Sequence, residues 1–258
     1  MNGVSRRVPI MHGLTWFGAG WRGFVNAPGL LIGVLLLWFI IAVGLGMIPL
    51  LGSLISSLIT PALFGGYVIM SRTAIDNAAP SLEQFFAGLT RPDCRGDSLV
   101  LGLLLLVGHV AAFILTAAAF ALFSVVIVGM NPVALMTELQ GAAEEFPLTL
   151  GMLLVFGLTL IVALIPYTIL VMCLTYAAPL VLDNRATAMT ALSQSFNACL
   201  RNILPLSLFA LMYLVVAVIA VIPLGLGLFI FIPVSMAALA QSYSEILPPV
   251  DEPVMSEV

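Results

Sequence analysis

Long apolar runs alternate with short polar segments along the whole chain, and six of these runs are long enough to cross a membrane. Lipid offers no partner to an open backbone amide, so apolar runs of about 20 residues are typical of membrane-spanning helices. The pattern predicts an all-α fold, a polytopic membrane bundle in which residues 1–246 form one domain. The predicted spans are 30–48, 53–70, 98–128, 148–178, 204–222 and 225–244.

The two ends of the chain are polar and are predicted to stay outside the bundle. Residues 1–9 are expected to form a loose end, and residues 247–258 a disordered acidic tail, because the tail is too polar and proline-rich to pack.

The same order of parts occurs twice. Residues 20–28 and residues 197–205 each end in a proline and lead into an apolar hairpin, with turns at 49–52 and 222–227. This order predicts a weak parallel internal repeat of helical hairpins on either side of a middle pair of spans.

The middle of the chain leaves the number of spans open. No charged residue occurs between Asp97 and Glu138, which is longer than one span requires. Turn-forming residues are clustered only at 129–132, so one long span over 98–128 is predicted, with a split into two as the alternative. The acidic connection at 131–146 carries Glu138, Glu144 and Glu145.

Three short segments are predicted to be amphipathic helices in the membrane interface. The first begins near Leu14 and is broken by Pro28, and the second starts at a capping box, Ser81-Leu-Glu-Gln84. The third separates two faces at helical spacing. Its apolar face holds Met189, Leu192, Phe196 and Leu200, and its polar face Thr190, Gln194, Asn197 and Arg201.

Composition and charge fix the class and the orientation. Only 8% of the residues are charged and the mean hydropathy is +1.21, which excludes a water-soluble fold because such domains carry about 25% charged residues. All eight basic residues are arginine, and with six spans every one falls on the same side. The positive-inside rule then predicts that both termini are cytoplasmic, and the expected location of the bundle is the inner membrane. Splitting both middle runs would give eight spans, and every arginine would stay on the side that it has with six spans.

Catalytic signatures are absent from the sequence. It contains no nucleophile elbow, phosphate-binding loop or dinucleotide fingerprint, and its three cysteines are too far apart to predict a disulfide framework or a zinc site. We therefore expect a non-enzymatic protein without cofactor or metal. A basic patch is also missing, so nucleic acid is not an expected partner.

Two groups of residues are candidates for function. Within the spans, His109, Tyr167 and Thr168 are polar, and an intramembrane ionisable residue such as His109 is a site hypothesis by default. The alternative is that neutral His109 bonds to a neighbouring helix. At the cytoplasmic face, aromatic and basic side chains are expected to bind phospholipid headgroups or another membrane protein, including a second copy of this chain. The alternative is that they are snorkelling anchors that only fix the orientation. The candidate side chains at this face are Trp16, Trp21, Arg22, Arg72, Phe196 and Arg201.

Several hydrophobic motifs carry a resemblance to a known family. They include Gly20-Trp21-x-x-Phe24-x-x-x-Pro28, Pro49-x-x-Gly52, Pro61-x-x-x-Gly65 and Ser195-Phe196-Asn-Ala-Cys-x-Arg201-Asn202-x-x-Pro205. Over nearly its whole length the chain resembles the uncharacterised bacterial BPSS-type transmembrane protein family. That group is similar in layout to the membrane domain attached to some glycerophosphodiester phosphodiesterases. The resemblance implies a membrane protein without an assigned activity, and no functional residue is carried over from it.

These observations favour an accessory or assembly component that binds lipid or another membrane protein at its cytoplasmic face. The alternative is a transporter or channel for a small apolar or zwitterionic molecule. It would need a mid-membrane cavity lined by side chains such as Ser56, Ser57, His109, Tyr167 or Thr168. Prolines inside the spans are consistent with such a path, but no acidic or basic group lies deep within a span to hold a coupling ion.

Overall fold

The computed structural model describes residues 5–141 and 150–249 and shows ten helices and no strand within them. Glu144 and Glu145 of the acidic connection, and the tail from residue 250 onward, lie outside the described residues. The helices are α1 (His12–Asn26), α2 (Pro28–Gly46), α3 (Leu51–Ile75), α4 (Leu82–Thr90), α5 (Pro92–Phe123), α6 (Pro132–Gly141), α7 (Leu150–Leu182), α8 (Ala188–Arg201), α9 (Ile203–Val221) and α10 (Leu228–Ile246).

Six of these helices are long and apolar enough to cross a membrane: α2, α3, α5, α7, α9 and α10. The prediction of an all-helical chain with six long apolar helices is therefore confirmed, and the protein is a multi-pass membrane protein. The long middle run is one helix, because α5 continues through a π-helical segment, Ser124–Val128, without a turn. It begins at Pro92, earlier than predicted, since proline fits the first turn of a helix.

Helices also lie where the three short amphipathic segments were expected, at α1, α4 and α8. The capping box of α4 is present, with the Ser81 backbone N–H donating to the Gln84 Oε1 at 3.0 Å. The position of these helices in a membrane interface, and the internal repeat, stay predictions. The sequence did not predict α6.

The chain divides into two compact units. Unit 1 contains the described residues up to Leu104 and from Met172 onward, and unit 2 is Leu105–Val171. In unit 2, Leu135 of α6 is buried against Met152 and Val155 of α7. The prediction of a single transmembrane domain stays a prediction.

In unit 1, α3 and α10 pack together and are the most buried of the six long helices. The core around them includes Tyr67, which is fully buried and donates its hydroxyl to the Leu31 carbonyl of α2 at 2.8 Å. The Phe85 ring of α4 meets the Tyr67 ring edge to face. Through these aromatic contacts α2, α3 and α4 share one apolar core.

Glycines allow the closest helix contacts in unit 1. A Cβ atom at Gly20 of α1 would lie 2.3 Å from the Val234 carbonyl oxygen of α10, and one at Gly66 of α3 would lie 2.1 Å from the Phe85 carbonyl oxygen of α4. Small residues at these crossings let two backbones approach each other, which stabilises helix packing in lipid. Helix α1 is consequently packed against α10 over much of its length.

Residues near the N-terminus are anchored to unit 1. The Arg6 backbone N–H donates to the Ile246 carbonyl at 2.8 Å, and the Val8 N–H donates to the Asn202 side chain at 3.0 Å. Asn202 in turn donates to the Arg6 carbonyl at 2.9 Å. The prediction of a loose end is therefore wrong for Arg6 and Val8, because their amides are paired within the fold.

The two outer hairpins of unit 1 turn at leucines. Leu50 joins α2 to α3 at φ 62° and is 82% exposed, and Leu224 joins α9 to α10 at φ 54° and is 96% exposed. A positive φ is sparsely populated for a non-glycine residue and costs on the order of 1–3 kcal/mol. Neither turn, 47–50 or 222–227, contains a charged residue.

Candidate functional site

A partly buried ion pair ties the polar end of α3 to the end of α7. Arg72 donates through both terminal amino groups to the Asp183 carboxylate, at 2.9 and 3.1 Å. The two side chains are only 30% and 17% exposed. Arg91 reaches the same region and donates to the Leu182 carbonyl at 3.2 Å. The ends of α3, α4 and α7 therefore lie together.

Tyr243 brings the end of α10 to this ion pair. Its hydroxyl donates to Asp183 at 2.9 Å, and the guanidinium groups of Arg72 and Arg185 each lie 5.9 Å from the centre of its ring. Such cation–π contacts are stabilising when they are shielded from water. Arg185 also donates to the Leu247 carbonyl at 2.6 Å. The ends of α3, α7 and α10 are thus held together by Tyr243 and by three charged side chains, those of Arg72, Asp183 and Arg185.

A second polar cluster joins α1 to α10 around Glu245. The Trp16 Nε1–H donates to Glu245 Oε2 at 2.8 Å, and the His12 Nδ1 lies 2.8 Å from the same oxygen. Since a carboxylate can only accept, the His12 Nδ1 carries the proton. Gln241 donates to the other oxygen at 2.8 Å. Glu245 is therefore held by three donors.

The candidate residues of α1 have different surroundings. Trp16 is completely buried, so its ring is a packing element in the structure. Trp21 and Arg22 are exposed, and within the described residues neither forms a hydrogen bond or an ion pair. Of the three, only Trp21 and Arg22 are open to a ligand.

The candidates of α8 lie on a helix whose small side chains are buried. Phe196 is half-buried, and Arg201 is exposed and donates to the Ser5 hydroxyl at 3.4 Å. The large apolar side chains Met189 and Leu200 are exposed. The buried positions are Ala188, Ala191, Ser195, Ala198 and Cys199.

The intramembrane candidates lie in unit 2. The His109 ring is 6.3 Å from the Tyr167 ring, and its Nδ1 is 2.7 Å from the Leu105 carbonyl, one turn back in its own helix. Because that carbonyl can only accept, Nδ1 carries the proton. The hydrogen bond expected to a neighbouring helix is thus made within α5. Thr168 is exposed.

Metal-binding or redox groupings are not found in the described part of the chain. No three histidine, cysteine or acidic side chains converge there in a way that could hold a metal ion. Cys199 donates to the Met172 carbonyl at 3.5 Å, and burial raises the pKa of its thiol to about 12. A thiol with such a pKa is almost fully protonated near neutral pH and is a poor nucleophile.

Two cavities open at the polar end of unit 1. The larger, of about 700 Å³, lies along α4 between the ends of α3 and α7. The other, of about 550 Å³, lies between the start of α5 and the start of α8, and Asp93, Asp97 and Arg185 are among its lining residues. Volumes of this size are in the usual range for small-molecule sites.

Comparisons with known protein families, with curated proteins and with solved structures found no match.

Sequence reasoning missed Asp183, Tyr243 and Glu245, which organise the two polar clusters. A signal for the last two was present, because Gln241, Tyr243 and Glu245 interrupt the final turns of an otherwise apolar span. Polar side chains at the end of a span need partners, which the sequence alone does not identify.

Replacing Trp16 with phenylalanine tests the Glu245 cluster. The change keeps an aromatic ring but removes the indole donor, so we expect the free energy of unfolding to fall by about 1–3 kcal/mol. Unfolding of the purified protein in mixed micelles measures this. The matched control is Trp21→Phe at the exposed position of the same helix, which is expected to have little effect. If both variants lost the same unfolding free energy, the hydrogen bond from Trp16 to Glu245 would not be the source of the stabilisation.

Proposed function

We propose that this chain is a non-enzymatic accessory or assembly component of the bacterial inner membrane, with both termini cytoplasmic, that binds phospholipid headgroups through its arginine-bearing end. The observation that carries the proposal is the pair Trp21 and Arg22. Both side chains are exposed and neither forms a side-chain hydrogen bond or ion pair in the described residues, whereas Arg72 and Arg185 are used internally. An indole beside a guanidinium fits the headgroup level of a bilayer.

The distribution of arginine supports the orientation. Hydrogen bonds connect the arginine-bearing segments to one another in unit 1, including Arg72 with Asp183, Arg91 with Leu182 and Arg201 with Ser5. The turns of the two outer hairpins carry no charge. Under the positive-inside rule, the arginine-bearing end is cytoplasmic.

The exposed faces of α1 and α8 support a position in the membrane interface. Helix α8 buries its small side chains and exposes Met189 and Leu200, whereas a helix on the surface of a soluble protein buries its large apolar residues. Helix α1 buries Trp16 and Phe24 and exposes Trp21 and Val25. Exposed apolar side chains beside arginines are typical of helices that lie in the headgroup region.

Membership of the BPSS-type family is part of this proposal and assigns no activity to the chain. Transport of a small apolar or zwitterionic molecule stays the alternative prediction. The His109 ring, one of the side chains expected to line its path, bonds within its own helix.

The test is purification of the full chain in mild detergent, followed by identification of the lipids and proteins that remain bound. We expect phosphatidylglycerol to be retained. The double variant Trp21→Ala, Arg22→Gln should retain about fivefold less, because one arginine near an anionic surface contributes roughly 1 kcal/mol. A stoichiometric membrane-protein partner would support the accessory role.

The matched control is Phe39→Ala, which removes an exposed aromatic ring of α2 that has no neighbouring arginine in the sequence. It should retain as much phosphatidylglycerol as the unchanged chain. A clean monomer without bound lipid or partner would overturn the proposal.

A further inference from the structure

The larger cavity of unit 1 is an amphipathic groove along α4. Six of its lining residues are apolar and are called its floor below, and five are polar and are called its rim. The apolar lining consists of Ile69, Leu82, Phe86, Ala87, Pro92 and Leu182, and the polar lining of Ser81, Glu83, Gln84, Thr90 and Arg91. Helix α4 is held against α3 by a close glycine contact, where a Cβ atom at Gly88 would lie 2.8 Å from the Ala62 Cβ. The groove is therefore built from two firmly packed helices.

Three of the polar lining residues are already satisfied within the fold. The Gln84 amide accepts from the Ser81 N–H at 3.0 Å and donates to the Thr73 hydroxyl at 3.0 Å. The Thr90 hydroxyl donates to the Phe86 carbonyl at 3.0 Å. These groups shape the groove, and a ligand has to be recognised by the remaining two, Glu83 and Arg91.

Glu83 and Arg91 offer opposite charges at the rim. Glu83 is exposed, and its carboxylate has no partner in the described part of the chain. Arg91 donates to the Asp93 carboxylate through two N–H groups and to the Leu182 carbonyl through a third. A guanidinium has five N–H donors, so two remain free to meet an anion.

We propose that this groove binds one glycerophospholipid with an ethanolamine headgroup. The phosphate meets the free N–H groups of Arg91, the ammonium meets Glu83, and an acyl chain lies along the apolar floor. The groove has both charges of this zwitterion, and the ammonium can donate hydrogen bonds to a carboxylate. Choline lacks those N–H groups, and phosphatidylglycerol lacks the cation. This inference rests on the proposed function, because it requires the arginine-bearing end to lie at the headgroups.

The experiment places the full chain in nanodiscs that contain a photoactivatable phosphatidylethanolamine, with the reactive group near the end of one acyl chain. Adducts are mapped by mass spectrometry, and unlabelled lipids are added as competitors. We expect adducts on α4 and on the end of α7. Unlabelled phosphatidylethanolamine should compete about threefold better than phosphatidylcholine or phosphatidylglycerol, which is the range of an exposed ion pair.

Two variants test the parts of the groove. Glu83→Gln, at an exposed position, should remove the preference for ethanolamine. Leu82→Trp fills the groove and should lower the adduct yield several-fold. The control is Leu200→Trp on α8, since Leu82 and Leu200 are 46% and 47% exposed and only Leu82 lines the groove. Thermal unfolding of each variant checks that it is folded.

The outcomes separate this inference from the proposed function. Adducts around Trp21 but none along α4 would overturn the groove site and leave lipid binding at the arginine-bearing end in place. Equal competition by the three lipids, or an unchanged yield in Leu82→Trp, would also overturn it. Adducts at neither place would overturn both proposals.

Discussion

Replacing Asp183 with asparagine is expected to lower the free energy of unfolding by about 2–3 kcal/mol. The change keeps the shape of the side chain but removes the charge that Arg72 faces and that accepts from Tyr243. Breaking a fully buried ion pair costs more, and this pair keeps some contact with solvent. Unfolding of the purified protein by denaturing detergent in mixed micelles, followed by tryptophan fluorescence, measures the change.

Asp93→Asn is the matched control for this prediction. Asp93 also pairs with an arginine, Arg91, but the two side chains are 47% and 45% exposed, against 17% and 30% for Asp183 and Arg72. Exposed ion pairs contribute little because solvent screens them. We therefore expect Asp93→Asn to leave the unfolding free energy nearly unchanged. If Asp93→Asn lowered the unfolding free energy as much as Asp183→Asn, burial would not be what sets the strength of the Arg72–Asp183 pair.

Gly20→Ala is expected to displace α1 from α10 and to cost about 1–3 kcal/mol or more. The new Cβ atom would lie 2.3 Å from the Val234 carbonyl oxygen and 2.8 Å from the Ala238 nitrogen. Both are backbone atoms that cannot move aside as a side chain can, so the helices must separate. The same unfolding measurement reports the loss, and faster proteolysis near α1 would accompany it.

Gly18→Ala provides the control within the same helix. A Cβ atom at Gly18 meets nothing within 4 Å, so the change should be neutral or stabilising by up to about 1 kcal/mol, the helix-propensity difference between the two residues. If both variants lost stability equally, the close approach of α1 to α10 would not be the cause.

The long helices could be predicted because the relevant signal is local. A run such as α2 or α9 is apolar around its whole circumference, and lipid leaves it no alternative to a helix. The capping box at Ser81 is also local, and it fixed the start of α4 correctly. Helix α6 was missed because its segment directly follows a turn signal, contains the acidic Glu138 and is only 10 residues long, too short for a span.

The polar clusters could not be predicted because their members are distant in sequence. Arg72 and Asp183 are 111 residues apart, and Trp16 and Glu245 are 229 apart. The sequence predicted that Arg72 ends a span and that Trp16 lies in a short amphipathic segment, but it could not say which distant side chains they contact. Arginines that bind within the fold and arginines that are open to a ligand therefore looked alike.

The uncharged turns at Leu50 and Leu224 have a consequence for how the protein enters a bilayer. A charged side chain at the centre of a membrane-spanning helix costs about 2.5–3.5 kcal/mol of insertion free energy. Each outer hairpin can cross tip first without carrying any such group, so its two arms can insert together in a single event.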